Sequence, residues 1–169
     1  MSYSAWIRAT REVVALCAHE LHRSSVLLKT DLAENLPTVS GDRVQLQQVI
    51  LNLLLNAMDA MREVEDRPRH IVVRTQQDEG GGIRVAIQGA GTGIDAQEAG
   101  RLFEALHTTK DGGMGIGLSV SRSIVENHDG RVWAENNDGP RATFAFSIPI
   151  RPDDGRERPA RPGLMSATT

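Results

Sequence analysis

From Gln45 to Asp59 the chain reads Gln-Leu-Gln-Gln-Val-Ile-Leu-Asn-Leu-Leu-Leu-Asn-Ala-Met-Asp, and this segment tells more about the chain than any other. Leu46, Val49, Ile50, Leu53, Leu54, Ala57 and Met58 recur at three- and four-residue steps, which predicts an amphipathic helix against a core. A second stripe runs beside the apolar one: Gln45, Gln48, Asn52, Asn56 and Asp59 stack along one edge of the same helix. Two amides one turn apart at the border of a buried face are costly unless something polar meets them. A hydrated Mg²⁺ carrying phosphate oxygens would meet them, because hard cations take oxygen ligands and Mg²⁺ is usually held by few protein groups plus phosphates. For the pair alone, the competing reading is that Asn52 and Asn56 cap neighbouring backbone or face water.

The rest of the chain supplies the other layer. A helix is expected over residues 7–22 and a strand over 26–30. Asp42 is the expected N-cap of the long helix, with Gln45 completing a capping box. Residues 62–69 form a charged loop containing Pro68. Strands over 71–76 and 83–88 flank Asp78-Glu79-Gly80-Gly81-Gly82, a hairpin signal. Asp95 and Glu98 make a second capping box for a short helix to Phe103. Residues 104–115 are poor in apolar side chains and are expected to form a mobile loop. A helix over 116–127 ends at Asp129-Gly130, a glycine stop. Strands over 131–135 and 142–148 close the domain around a turn at 136–140. Residues 151–169, rich in Pro, Arg and Gly, read as a disordered tail after one domain over 1–150. Interleaved elements that include a hairpin favour an α/β fold: a two-layer sandwich whose mixed, mostly antiparallel sheet is covered by helices on one face.

A net charge of −3 offers no basic face for nucleic acid. No apolar run approaches the roughly 18 residues of a membrane span, and no signal-peptide pattern opens the chain. The single cysteine, Cys17, sits among apolar neighbours and reads as a core residue in a reducing compartment. The expectation is a cytoplasmic domain that touches neither nucleic acid nor membrane.

Two glycine clusters flank the loop: Gly89-Ala90-Gly91-Thr92-Gly93-Ile94 and Gly112-Gly113-Met114-Gly115-Ile116-Gly117-Leu118. Gly115 and Gly117 fall where loop turns into helix. Glycine lets backbone approach a ligand closely, and free N–H groups at a helix start favour anions, so a triphosphate is the natural guest. Neither cluster fits the P-loop pattern.

Taken in order, Asn52-x-x-x-Asn56-Ala57, a strand into Gly91-x-Gly93-Ile94-Asp95, Leu102-Phe103-Glu104-Ala105-Leu106-His107-Thr108-Thr109-Lys110, and Gly113-Met114-Gly115-Ile116-Gly117-Leu118 are far more specific than any one part. The set resembles the catalytic, ATP-binding domain of bacterial sensor histidine kinases of the oxygen- and nitrogen-sensing type, over about residues 32–149. That family sits in the superfamily of gyrase, heat-shock chaperone, histidine kinase and MutL ATPases. The resemblance implies a Bergerat-type α/β sandwich that holds ATP and Mg²⁺ between the Asn-bearing helix (the N box) and a mobile lid. It also implies a role for each matching position. Asn56 resembles the Mg²⁺ ligand, with Asn52 supporting the metal or its water. Gly91 and Gly93 resemble the glycines of the G1 box beneath adenine, with Gly89 at that box's first position. Thr108, Thr109 and Lys110 resemble the end of the F box, with Lys110 set to neutralise phosphate charge. Gly113, Gly115, Ile116, Gly117 and Leu118 resemble the phosphate-contacting G2 box. Thr143 resembles the threonine of the adenine-side water network. The implied activity is that of a protein-histidine kinase, inactive alone. Its partners would be a histidine-bearing dimerisation domain absent from this chain and, indirectly, a response regulator.

Three positions depart from the pattern or sharpen it. The ATPases of the superfamily carry an acid where this chain has Asn52, which cannot take up a proton at neutral pH; a stand-alone ATPase is thereby disfavoured. Gly89 replaces the aspartate that accepts a hydrogen bond from the adenine amine, and Arg141 replaces a glycine near the same end of the sheet. These two changes support an alternative: a nucleotide-poor, kinase-like module that acts by docking. Ala18-His19-Glu20-Leu21 imitates a phosphoacceptor motif, but the usual proline is missing and His19 precedes Asn56 by only 37 residues. His19 is therefore expected at the surface or between domains. His70, His107 and His128 are isolated and expected to be solvated.

Overall fold

The computed structural model of the 169-residue chain describes residues 3–62, 64–90, 115–137 and 141–150. Three helices and five strands lie in these segments: α1 (Tyr3–Arg23), β1 (Val26–Leu32), α2 (Arg43–Asp59), β2 (Arg69–Gln77), β3 (Ile83–Gly89), α3 (Gly115–Asn127), β4 (Arg131–Asn137) and β5 (Arg141–Ile148). The strands form one mixed sheet in the order β1-β2-β3-β5-β4. Only β1 and β2 are parallel; the connection between them contains α2. The other three ladders are antiparallel. The helical layer packs α1 on α2 and α2 on α3, with α2 resting on β3 and β5 and α3 on β5 and the edge strand β4.

Each observed element contains the expected one and extends it by a few residues, because ladder and helix hydrogen bonds run on past the apolar pattern that signals them. The seven residues of the predicted apolar stripe are the seven buried on α2. Leu46, Val49, Ile50, Leu53 and Leu54 are fully enclosed, and burying each such side chain stabilises the fold by about 1.5–3 kcal/mol. They meet Ile71 and Val73 from β2, Val85 and Ile87 from β3, and Phe144 and Phe146 from β5. Trp6, absent from the predicted helix, is the largest enclosed side chain of α1, and its ring centroid lies 6.4 Å from that of Phe146. Cys17 is buried and free, as expected, and that burial pushes its thiol pKa up.

Two turns show why glycine is needed. Gly81 closes the β2–β3 hairpin at φ +88° and donates its N–H to the carbonyl of Asp78. At the end of α3 the left-handed residue is Asp129 (φ +58°), so the expected glycine stop is shifted by one position. Gly130 is required for space instead: a Cβ there would lie 2.1 Å from the carbonyl oxygen of Ser147.

The outer sheet face is partly roofed by its own side chains. Trp133, the ladder neighbour of Ala145, lies under the guanidinium groups of Arg131 and Arg84 at 4.5 and 4.9 Å. Arg84 also pairs with Glu135 at 3.3 Å. Thr143, Ala145 and Ser147 are buried although they alternate away from the helices. The second capping box at Asp95 and Glu98, the short helix to Phe103, the loop of 104–115 short of Gly115, the tip of the 136–140 turn and the 151–169 tail lie outside the described residues.

Candidate functional site

The polar stripe of α2 passes from water to the border of the core: Gln45 and Gln48 are exposed, while Asn52, Asn56 and Asp59 are half-buried. The helix is aimed by its N-terminus. The Asp42 carboxylate accepts the Gln45 backbone N–H at 3.0 Å, the expected cap. The reciprocal half of the capping box is replaced. The Asp42 backbone N–H goes to His128 Nε2 at 3.0 Å, and the other ring nitrogen of His128 bonds the Ile124 carbonyl at 2.7 Å. A carbonyl can only accept, so the proton sits on Nδ1. His128 is thus no solvated histidine; it ties the last turn of α3 to the first turn of α2.

At the other end of α3 lies the second tie. Asn52 Nδ2 donates to the Gly117 carbonyl at 3.1 Å and to Ser121 Oγ at 3.2 Å. Ser121 Oγ itself donates to the same carbonyl at 2.8 Å. The two motifs singled out in the sequence, 65 residues apart, therefore meet. The first turn of α3, with Gly115, Ile116, Gly117 and Leu118, stands beside the turn of α2 that carries Asn52 and Asn56. Leu118 is buried and anchors that turn in the core. Among the described residues, Asn56 makes no side-chain hydrogen bond, and neither does the Asn52 oxygen. Two half-buried amide oxygens without partners beside a helix start suit a hard cation that brings phosphates with it. Among the described residues, no group of three or more His, Cys, Asp and Glu side chains could hold a metal by itself. That donor set fits Mg²⁺ shared with a nucleotide.

Gly89, at the end of β3, faces the same helix one residue beyond Asn56. A Cβ on it would lie 3.7 Å from Ala57 Cβ and 3.8 Å from both the Ala57 carbonyl oxygen and Met61 Sδ, all ordinary contacts. Across the ladder its partner is Ala142. Thr143 is registered with Gln88 and Glu135 instead, among the positions that alternate away from the helices. The residue that shares the face of Gly89 is thus Ala142, and the Thr143 hydroxyl stands on the other side of the strand. Gly91, Gly93, Thr108, Thr109, Lys110 and Gly113 lie outside the described residues. A cavity of about 540 Å³ opens at the Gly89 end of β1, β2 and β3, lined by Lys29, Arg67, His70 and Gln88 among others. It does not reach Asn52 or Asn56.

Arg69 was hidden in the charged loop. It donates to the carbonyls of Ser24, Arg62 and Val64 at 2.8–3.0 Å and so pins the segment that follows α2. A charge run carries no signal that one of its members will bond backbone.

With this geometry in view, the likeness to known proteins is specific. Residues 41–152 match the family described as histidine kinase-, DNA gyrase B-, and HSP90-like ATPase, and the chain belongs to that family. Within it, the chain corresponds to the catalytic domain of sensor histidine kinases. It is 41% identical over 138 residues to the sensor protein FixL of Bradyrhizobium diazoefficiens, covering 82% of this chain and 27% of FixL. The nucleotide-free catalytic domain of the histidine kinase ThkA superposes with a TM-score of 0.73 at 30% identity, covering 84% of this chain and 90% of that one. ThkA is also known in complex with the response regulator TrrA, where the match has a TM-score of 0.69 at 29% identity over 87% of this chain and 41% of that one. The chain thus spans about a quarter of FixL, while it matches the catalytic domain of ThkA nearly end to end.

Proposed function

We propose that this chain binds ATP–Mg²⁺ between α2 and the first turn of α3, and passes the γ-phosphoryl group to a histidine on a dimerisation domain outside it. The observation that carries this reading is the Asn52–Gly117 hydrogen bond, which holds the first turn of α3 beside the turn of α2 that bears both amides. Asn56 and Asn52 would hold Mg²⁺ through their oxygens, and the bound cation would neutralise charge on the transferring phosphate. The N–H groups at the start of α3 would face phosphate oxygens, and Lys110 would add charge from the loop. Such positioning and neutralisation are most of what a protein contributes to phosphoryl transfer. In the transfer, the bond between the γ-phosphorus and the bridging oxygen breaks, a phosphorus–nitrogen bond to imidazole forms, ADP leaves with the electron pair, and the imidazole proton goes to solvent. Asn52 cannot serve as a base toward water, which keeps the phosphoryl group for the partner histidine. A response regulator would receive it next, and the domain would work in the cytoplasm. Gly89 weakens the hold on adenine without touching the phosphate end.

Titration of the chain with a fluorescent ATP analogue tests this. Saturation is expected, tightened by Mg²⁺, with Asn56→Ala abolishing the Mg²⁺ effect. No saturation up to millimolar analogue would instead support a docking module.

A further inference from the structure

The hydrogen bonds around Asn52 fix more than the distance between two helices. The Gly117 carbonyl oxygen can only accept, so the Asn52 side chain must turn its nitrogen toward it. Ser121 has one hydroxyl proton and gives it to that same carbonyl. Toward Asn52, Ser121 is therefore an acceptor from Nδ2. The two acceptors lie side by side, 2.8 Å apart, and both face the nitrogen of the amide. A flipped amide would set its oxygen against the Gly117 carbonyl oxygen with no proton between them. The group turned to the site is the Asn52 oxygen, which a cation or the water on a cation can use and an anionic phosphate oxygen cannot.

We propose that Ser121 is a positioning residue for this site: with the Gly117 carbonyl it locks the Asn52 amide so that its oxygen is turned to ligand, and Asn52 serves the cation rather than the phosphates. The proposal rests on the nucleotide–Mg²⁺ reading above and goes beyond it. Ser121 is fully buried on α3, so it is argued to act through Asn52.

The test uses the full chain, the fluorescent ATP analogue and Mg²⁺. Ser121→Ala is expected to raise the Mg²⁺ concentration for half-maximal tightening by about three- to tenfold, the worth of one hydrogen bond. Analogue affinity in EDTA is expected to change less than twofold. Asn52→Ala, at a half-buried position, should give a shift at least as large, and adding Ser121→Ala to it should give no further shift. In protein without nucleotide, the two substitutions should likewise be non-additive in melting temperature. Equal weakening with and without Mg²⁺ would show that the pair acts on phosphate or on the fold at large and would overturn the proposal, as would an unchanged Mg²⁺ requirement. If Ser121→Ala does not fold, an unchanged Mg²⁺ requirement in Asn52→Ala overturns it alone. Failure of the unmodified chain to bind the analogue would overturn the nucleotide reading first and this role with it.

Discussion

At the level of single residues, Gly89 decides most. The space beyond its Cα admits a Cβ at ordinary distances, so Gly89→Asp fits sterically. Its carboxylate would then face Ala57 and Met61 with no donor supplied by either side chain. Burying such a group costs about 1–3 kcal/mol without ligand, so the variant is expected to melt earlier in the apo state. A hydrogen bond to a charged partner contributes about 1.5–3 kcal/mol, so ATP–Mg²⁺ should bind tenfold tighter or more. GTP offers a carbonyl where ATP offers an amine and should gain nothing. Competition between the two nucleotides on one variant measures this; an equal gain for both would sink the assignment of Gly89 to the base end. The sequence singled out residues here but carried none of their bonds. Asn52 and Gly117 stood out as motif members, yet a motif carries no distances, so Ser121 went unremarked. His128 was misplaced in solvent because a lone histidine at a helix end has no pattern that announces a partner 86 residues away in the chain.

Among elements, the helices were the most legible, since the burial of α2 follows its periodicity residue by residue. The polar ties between helices were not legible, because they join residues that share no period. The α1–α2 tie is one of these. Glu12 pairs with Arg43 and accepts from Gln47 Nε2 at 2.8 Å, while Gln47 also reaches the Ala9 carbonyl at 3.3 Å. The Arg43 bond, then the Gln47 bond, hold the Glu12 carboxyl below its ordinary pKa of 4.5. As pH falls below 4.5, the unfolded chain takes up this proton before the folded one does. The contribution of Glu12 is thus complete above that value and is lost as pH falls through the depressed folded pKa. Melting curves across this acid range should fall less steeply for Glu12→Gln than for the parent chain. Identical slopes would show that the pair does not couple the helices in solution.

For the whole molecule, the two-layer architecture was legible because a single hairpin signal breaks the parallel pattern that interleaved helices and strands would otherwise suggest. The tail over 151–169 was marked by composition alone. As a unit, the chain is expected to be a donor without an acceptor. Incubated with γ-labelled ATP it should remain unlabelled, and it should label a sensor-kinase dimerisation domain supplied in trans, with the acid-labile bond of a phosphohistidine. Label retained on the chain and lost in His19→Ala would overturn this division of labour. The two tryptophans lend such experiments a built-in optical readout. Trp6 is sealed in the core at 0% exposure, whereas Trp133 lies half-exposed on the outer face beneath two guanidinium groups. Iodide in the buffer is expected to be drawn to Trp133 and to dim its emission while the fold is intact. The emission of Trp6 should stay unquenched until the core opens, so one emission band would report the surface and the interior separately.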